Sequence, residues 1–354
     1  MSALGGFDGD RATGVRIRDE QGTRDVHAKV VIDASGQAGL IQNRLRLRLW
    51  DPFLNKGAIW TYWEGAYRDT GRDEGATMVL QTGNKKGWFW YIPLHNNVVS
   101  VGVVAPFDYL FKGRESYTKT YEEEVEACPG VKERIGSARQ ATGHFATKDY
   151  SYRATRVAGD GWVMIGDAWG FLDPLYSSGV LLALKSGQLA ADTIAEGLAA
   201  GDTSAARLGA WGPEFNRGVD RMRRLVCEYY DGFSFGRFVQ ANPHLRNTVT
   251  DLLIGDLFTD RVDSVWGPLE STYPADKPTS GVFGKPVWRR EGGLSPDGMA
   301  GMAPPLEPVP SNEPGVHAFK TELSMAGRWL LSIAAKVQGE PETVVGKIMF
   351  RATP

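Results

Sequence analysis

The sequence predicts a mixed α/β fold, in which a strand–turn–helix unit is split by an antiparallel β-rich insertion and followed by a helical C-terminal part. Three observations predict it. Two apolar stretches, Val30-Val31-Ile32 and Trp162 to Ile165, each run into a small-residue turn, Asp33-Ala34-Ser35-Gly36 and Gly166-Asp167. Between them lie closely spaced runs of β-branched and aromatic residues with short polar links, as antiparallel sheets require. After the second turn come Asp173-Pro174, Ser177-Ser178-Gly179 and a long apolar-periodic segment: strand, tight acidic turn and helix N-terminus in sequence.

The elements follow in order. Residues 12–18 and 25–32 are β-rich and flank the turn sequence DEQGT, which predicts a hairpin. Strands are expected at 57–66, 76–82, 87–94 and 97–104, with His95-Asn96-Asn97 as the turn between the last two. A charged helix is expected over 115–127, with Pro129 and Gly130 behind it. The strand at 162–166 leads to a helix over 177–199, with Val180, Leu184, Ala191, Ile194 and Leu198 at helical spacing and Gly201 as its stop. From 203 to about 256 the pattern is mainly helical. Residues 274–316 are rich in Pro and Gly and lack a core-forming period, so they read as linker or wrap-around tail. Residues 317–338 regain helical spacing through Phe319, Leu323, Trp329, Leu330, Ile333 and Val337.

Composition narrows the function classes. A net charge of −2 gives no reason to expect a nucleic-acid partner. Cys128 and Cys227 are too far apart for metal-ligand spacing, and two cysteines do not make a disulfide framework; they read as reduced thiols in a cytoplasmic protein. No metal site is expected. No apolar run approaches the ~20 residues of a membrane span, and no basic-then-apolar signal opens the chain. The five histidines, His27, His95, His144, His244 and His317, are scattered and make a poor catalytic set. The GLSPDG run at 293–298 lacks the strand–helix setting of a nucleophile elbow.

The chemistry concentrates in three motifs. In GDAWGFLDPLYSSG, Asp167 is placed to accept hydrogen bonds from a sugar-like hydroxyl chain, and the amides near Ser177, Ser178 and Gly179 are placed to face an electron-rich ligand edge. The bland reading is a capped turn, with Ser177 or Ser178 as N-cap and Asp173 acting on the helix dipole; both can hold together. The DASG turn is a weaker signal, since glycine after a strand often serves the turn alone. In Trp88-Phe89-Trp90-Tyr91-Ile92-Pro93, strand alternation puts Trp88, Trp90 and Ile92 on one face and Phe89 and Tyr91 on the other. That arrangement suits either two-sided core packing or an aromatic wall beside a planar ligand, with Pro93 ending the sheet pairing.

DASG, then an aromatic β-region containing WFWYIP, then GDAWGFLDPLYSSG resembles the FAD-dependent monooxygenase superfamily, and within it the flavin-dependent halogenases. The hexapeptide 88–93 matches their Trp-x-Trp-x-Ile-Pro pattern at every defined position, and FSFGRF (233–238) with DLLIGDLF (251–258) also looks like this group. The resemblance covers about residues 10–272. It implies an incomplete FAD-binding Rossmann-like domain with an inserted antiparallel β substrate domain. The expected divisions are 1–45 and 149–200 for the FAD-binding part, 46–148 for the insertion and 201–272 for a helical region. A linker over 273–316 and a C-terminal helix and tail over 317–354 complete them.

The resemblance also implies a site. Asp33, Gly36, Gly166 and Asp167 belong to the FAD side, with Asp167 on the ribityl chain. Asp173, Pro174, Ser177, Ser178 and Gly179 lie by the flavin ring and the halide. Trp88, Trp90, Ile92, Pro93 and Tyr176 form the substrate wall. The implied chemistry is a C4a-hydroperoxyflavin attacked by chloride or bromide, with the oxidant halogenating an electron-rich aromatic small molecule and a separate flavin reductase supplying reduced FAD. Where tryptophan halogenases carry a glutamate before the Ser, this chain has Tyr176, nearer to phenol- and pyrrole-type enzymes. No GxGxxG fingerprint occurs, so the expectation is an N-terminally truncated chain, with the family's lysine in the missing part and no catalytic residue assignable. Lys56, Lys85, Lys86 and Lys148 have no positional warrant as substitutes. The alternatives are a flavin-dependent reductase of isoprenoid double bonds, like geranylgeranyl reductases, and a non-catalytic remnant that binds a partner.

Overall fold

The parallel pairing of two short strands far apart in sequence organises the fold. In the computed structural model, Val31–Asp33 lies beside Trp162–Met164, with Val31 opposite Trp162 and Asp33 opposite Met164; Ala158–Gly159 pairs antiparallel on the other side. The structure describes residues 3–272 except 52 and 149 and, further on, strands at 293–296, 307–309, 318–320, 327–336 and 343–352. Because parallel strands end on the same side of a sheet, the pairing puts the DASG turn against the Gly166 turn, and the amide of Ile165 donates to the Asp33 carbonyl at 3.0 Å. The strand at 31–33 is not buried throughout: Val31 and Asp33 point inward while Ile32 is 52% exposed.

The expected hairpin forms from Arg11–Asp19 and Gly22–His27, with a further strand, Ala3–Asp8, on its other side. The insertion is a six-stranded antiparallel sheet. Its order is Arg139–Gln140, Lys56–Glu64, Val98–Pro106, Trp88–Pro93 and Met78–Gln81, with Phe145–Lys148 also paired to Lys56–Glu64. Asn96 and Asn97 adopt φ of +58° and +56° in the tight turn between Trp88–Pro93 and Val98–Pro106, a backbone that asparagine tolerates better than most residues.

One sheet face carries Ile59, Phe89, Tyr91, Val101 and Val103 into a core with Leu110, Tyr121, Val131 and Ile135. The other carries Ala58, Trp88 and Val104 towards Tyr150 and Leu175. The alternation through WFWY is therefore as the residue period requires. Pairing does not stop at Pro93, which lies opposite Val99, and the Leu94 amide bonds the Val98 carbonyl beyond it. The imino acid is tolerated because its missing N–H lies on the side of Met78–Gln81, whose pairing ends at Tyr91.

The charged helix forms as expected, and the helix after the SSG turn needs a correction to its buried face. The charged helix runs Tyr117–Glu126, with the Ser116 hydroxyl accepting from the Lys119 amide. Pro129, behind it, opens a second helix, Pro129–Ile135, at a position where a missing N–H costs nothing. The helix after the SSG turn runs Gly179–Ala200 with Gly201 left-handed at its end, yet its inward face is Leu182, Ser186, Ala190 and Gly197. Val180 and Leu184 are 73% and 70% exposed. Small residues face inward because the helix lies close on the Gly166 turn, where the Ser186 hydroxyl accepts from the Gly166 amide at 2.9 Å.

Helices Ala205–Leu208, Gly212–Tyr230, Phe235–Ala241 and Arg246–Leu253 follow, as the helical reading of 203–256 requires. The chain divides into two units, Met1–Pro274 and Ala275–Pro354. Within the second, the described part of the expected helix over 317–338 is extended: Gly327–Lys336 is a strand, paired antiparallel along its length with Thr343–Ala352. Gly293–Pro296, in the stretch read as linker, pairs with Gly327–Lys336, and Glu307–Val309 pairs with Ala318–Lys320. Thr343–Ala352 is rich in β-branched residues (Val344, Val345, Ile348), and such a partner overrides a helical spacing in the strand it pairs with.

Candidate functional site

The site is assembled where the two parallel strands end. Asp33 is buried, and both its oxygens accept backbone amides, from Ser35 at 3.0 Å and Ile41 at 2.7 Å. Its carboxylate thus holds the DASG turn and the start of helix Leu40–Arg44 in place. Gly36 begins the short 3-10 turn Gly36–Ala38.

Asp167 differs. It is half-buried, burial raises its carboxyl above the ordinary range, and among the described residues its carboxylate accepts no hydrogen bond. Its backbone is held, since the Tyr152 hydroxyl donates to its carbonyl at 2.8 Å. Gly166, at φ +55°, supplies the left-handed turn that aims it, and a Cβ there would lie 3.2 Å from Ala183. A fixed backbone with an unspent carboxylate is what a polyol-binding group needs. Beside it a cavity of about 10 Å³, lined by Gly166, Asp167, Trp169, Phe171, Gly179 and Leu182, has room for about one water. Trp169 is one of these lining residues, and among the described residues its buried indole N–H has no hydrogen-bond partner.

The second half of the motif is held by a different carboxylate. Asp173 is 2% exposed; its Oδ1 accepts from the Leu175 amide at 2.9 Å, and its two oxygens share the Tyr230 hydroxyl at 3.1 and 3.3 Å. Burial raises its carboxyl to about 7, against the lowering effects of Leu175, Tyr230 and Lys56. Pro174 is half-buried, and its carbonyl accepts the Ser177 amide at 3.0 Å. Ser177 sits at φ +52°, and Ser178 occupies the N-cap position without a side-chain capping bond. The capped-turn reading thus holds for position and not for chemistry: no serine hydroxyl caps the first amides of Gly179–Ala200, and Asp173 bonds the loop rather than the helix end.

The tryptophan strand Trp88–Pro93 borders this loop. Trp88 is buried, and its indole N–H donates to the Tyr230 hydroxyl at 2.9 Å. Trp90 is half-buried, donates to the Ser100 hydroxyl at 3.1 Å and lies between Trp88 and Trp60 at 6.2 and 6.1 Å. Gly102 makes room for it, since a Cβ there would lie 2.2 Å from the Trp90 ring. Ile92 and Pro93 are half-buried on the same strand. Tyr176 packs edge-on against Tyr229 and Phe235, and among the described residues its buried hydroxyl has no hydrogen-bond partner; burial pushes its ionisation far up.

Spacing alone gives no separate role to Tyr230, which lies in an aromatic cluster, to Tyr150, or to Trp169 and Phe171, which lie within GDAWGFLDPLYSSG. Lys56 now has a position: it is 9% exposed, with its ammonium 4.2 Å from the centre of the Tyr230 ring, and burial lowers its pKa. Lys148 instead lies over Phe107, Lys86 over Tyr109, and Lys85 in a turn. Among the described residues no group of three or more His, Cys, Asp or Glu could hold a metal ion. No helix among them is long and apolar enough to cross a membrane.

The family model described as Tryptophan halogenase matches residues 7–234. The chain is 30% identical over 244 residues to the 1H-pyrrole-2-carbonyl-(peptidyl-carrier protein) chlorinase of Pseudomonas fluorescens, covering 67% of this chain and 54% of that protein. It is 36% identical over 188 residues to the flavin-dependent halogenase armH3 of Armillaria mellea, covering 48% of this chain and 37% of that protein. The chain thus spans about half the length, or less, of these relatives. Among solved structures it superposes on the flavin-dependent brominase Bmp2 with a TM-score of 0.70 and 28% identity, covering 77% of this chain and 69% of that one.

Proposed function

The chain belongs to the tryptophan halogenase family, and from that premise we propose that it carries the flavin-ring and substrate side of an FAD-dependent enzyme that halogenates an electron-rich aromatic small molecule. One observation carries the proposal. The face of the sheet bearing Trp88 and Trp90 packs against Leu175 and Tyr176 of the loop that opens helix Gly179–Ala200, so aromatic wall and anion-facing amides border one another.

The residues fit the flavin at its ring end. Asp167, whose carboxylate has no hydrogen bond among the described residues, would hold the ribityl hydroxyls, and the uncapped start of Gly179–Ala200 would face the ring and a chloride or bromide ion. Bound FAD would supply the oxygen activation; the chain's own residues would orient the ring, with Trp88, Trp90 and Phe171 excluding water and the amides at the start of Gly179–Ala200 facing the halide. Asp33, already committed to Ser35 and Ile41, serves by holding its turn. Tyr176 in place of an acid supports a phenol- or pyrrole-type substrate, in line with the pyrrole named for the Pseudomonas relative. The complete Trp-x-Trp-x-Ile-Pro match and the halogenase relatives favour halide oxidation over double-bond reduction. Reduced flavin is expected from a separate reductase, and two free, buried cysteines suit a reducing cytoplasm.

The test has two parts. Asp167→Ala is expected to weaken FAD binding about tenfold or more while leaving thermal stability unchanged, since its carboxylate supports nothing structural; equal affinity sinks the ribityl assignment. With FAD, a reductase and bromide, phenolic and pyrrolic substrates are expected to give brominated product. Hydroxylated product without halide dependence overturns the halogenase reading.

A further inference from the structure

Tyr230, the last residue of helix Gly212–Tyr230, joins two motifs that the sequence keeps far apart. Its hydroxyl accepts the Trp88 indole N–H and donates to the Asp173 carboxylate, which in turn accepts the Leu175 amide. Trp88 belongs to the tryptophan strand; Asp173 and Leu175 belong to the loop that leads into Gly179–Ala200. We propose that Tyr230 is a positioning residue, whose hydroxyl bridges the Trp88 indole to the Asp173 carboxylate and so holds the 173–178 loop, with the amides that follow it, in one orientation against the tryptophan strand.

The chemistry of the partners requires a hydroxyl there. An indole only donates and a carboxylate only accepts, whereas a hydroxyl does both and spans the gap between them. The two ends are unequally held. Trp88 is 1% exposed and locked into ladders opposite Gln81 and Val104. The loop has left-handed, exposed Ser177 and no serine cap. Loss of the hydroxyl therefore frees the loop and not the strand. Substitution by phenylalanine isolates the effect, because the ring on which the Lys56 ammonium rests remains.

The bridge lies in a charged interior. Besides Lys56 on its strand, Asp173 is faced by Asp51, which is bonded to Arg223, and by Tyr150, Tyr176, Tyr229 and Cys227. Its titration falls within reach of ordinary buffers, and a hydrogen-bonded chain transmits polarisation along its length. The proposal rests on the flavin-ring reading only for what the loop presents; its test uses the whole chain without flavin, so either can fail alone.

Amide hydrogen exchange and the indole N–H resonance of Trp88 provide that test. In Tyr230→Phe, exchange of the hydrogen-bonded Leu175, Ser177 and Leu182 amides is expected to rise about tenfold or more, while amides of Val98–Pro106 change less than about twofold. In Asp173→Asn, which keeps an acceptor for both Tyr230 and Leu175, loop exchange is expected to stay within about twofold of the parent. In the unmodified chain the Trp88 indole N–H is expected to titrate with the same midpoint as the Asp173 carboxyl carbon. A folded Tyr230→Phe with unchanged loop exchange overturns the proposal, as does a loosened loop in Asp173→Asn. A Trp88 resonance blind to Asp173 overturns it without any substitution.

Discussion

Arg223 and Asp51, 172 positions apart, form a doubly hydrogen-bonded ion pair in which each side chain is only 4% exposed, with Nε on Oδ2 at 2.6 Å and Nη2 on Oδ1 at 3.0 Å. Asp51 also accepts the amides of Phe53 and Leu54, so it fixes the turn that leads into strand Lys56–Glu64. The pair thus ties helix Gly212–Tyr230 to the root of the sheet. Removing either partner leaves a buried charge without its ion-pair partner. Asp51→Ala or Arg223→Ala is expected to cost about 3–5 kcal/mol in urea denaturation; a cost below about 1 kcal/mol would mean that the pair is hydrated in solution.

Asp173 gives a pH dependence of defined sign. Burial raises its carboxyl to about 7 in the folded chain, whereas in the unfolded chain it titrates near ~4. Between these values the folded state holds a proton that the unfolded state has lost, so this group's contribution to stability falls as pH rises from about 4 to about 7, then levels. Asp173→Asn has no such proton. Its melting temperature relative to the parent is therefore expected to be higher at pH 8 than at pH 5. A gap that does not change between the two would place the titration of Asp173 elsewhere.

Gly102 tests the seating of the tryptophan strand. A methyl group there would meet the Trp90 ring at 2.2 Å and the Trp60 Cβ at 2.6 Å, with rigid indoles on a paired strand unable to yield cheaply. Gly102→Ala is expected to destabilise by about 1–3 kcal/mol and to change tryptophan emission as Trp90 is displaced. Unaltered emission would show that the ring is not confined as described.

The inward face of Gly179–Ala200 is open to a paired comparison. Leu182→Ala, at a position 9% exposed, is expected to cost about 2–4 kcal/mol. Leu184→Ala, at a position 70% exposed, is expected to stay within about 0.5 kcal/mol. Equal effects on the thermal midpoint would return the helix to the orientation that its apolar spacing suggests.

That helix shows why part of the fold was legible and part was not. Strand alternation assigned Trp88 and Phe89 to opposite faces correctly because a two-residue period leaves no other choice. The Gly166 turn was visible because strand, glycine and helix follow one another locally. The helix face was misread because Ser186, Ala190 and Gly197 are chosen for closeness rather than hydrophobicity, and a hydrophobic period cannot register a surface whose virtue is being small. The same limitation hid Tyr230. Nothing marks it among its aromatic neighbours, since its role depends on Trp88, 142 positions earlier, arriving at 2.9 Å. At the C-terminus, the leucines and isoleucine of 330–333 satisfy helical and extended spacing alike, and only the partner strand decides.

The pairing of Val31–Asp33 with Trp162–Met164 has a kinetic consequence. A growing chain exposes its first small-residue turn about 130 residues before the strand that completes it, a wait on the order of ten seconds at ordinary rates of synthesis. Until then Val31–Asp33 is an unpaired apolar edge, and closing so long a loop is slow. The proposed ligand end of the molecule is thereby made contingent on the insertion. A lesion in the six-stranded sheet that delays its folding is expected to reach the cell as lost cofactor capacity and aggregation, even when every residue around Asp167 is intact.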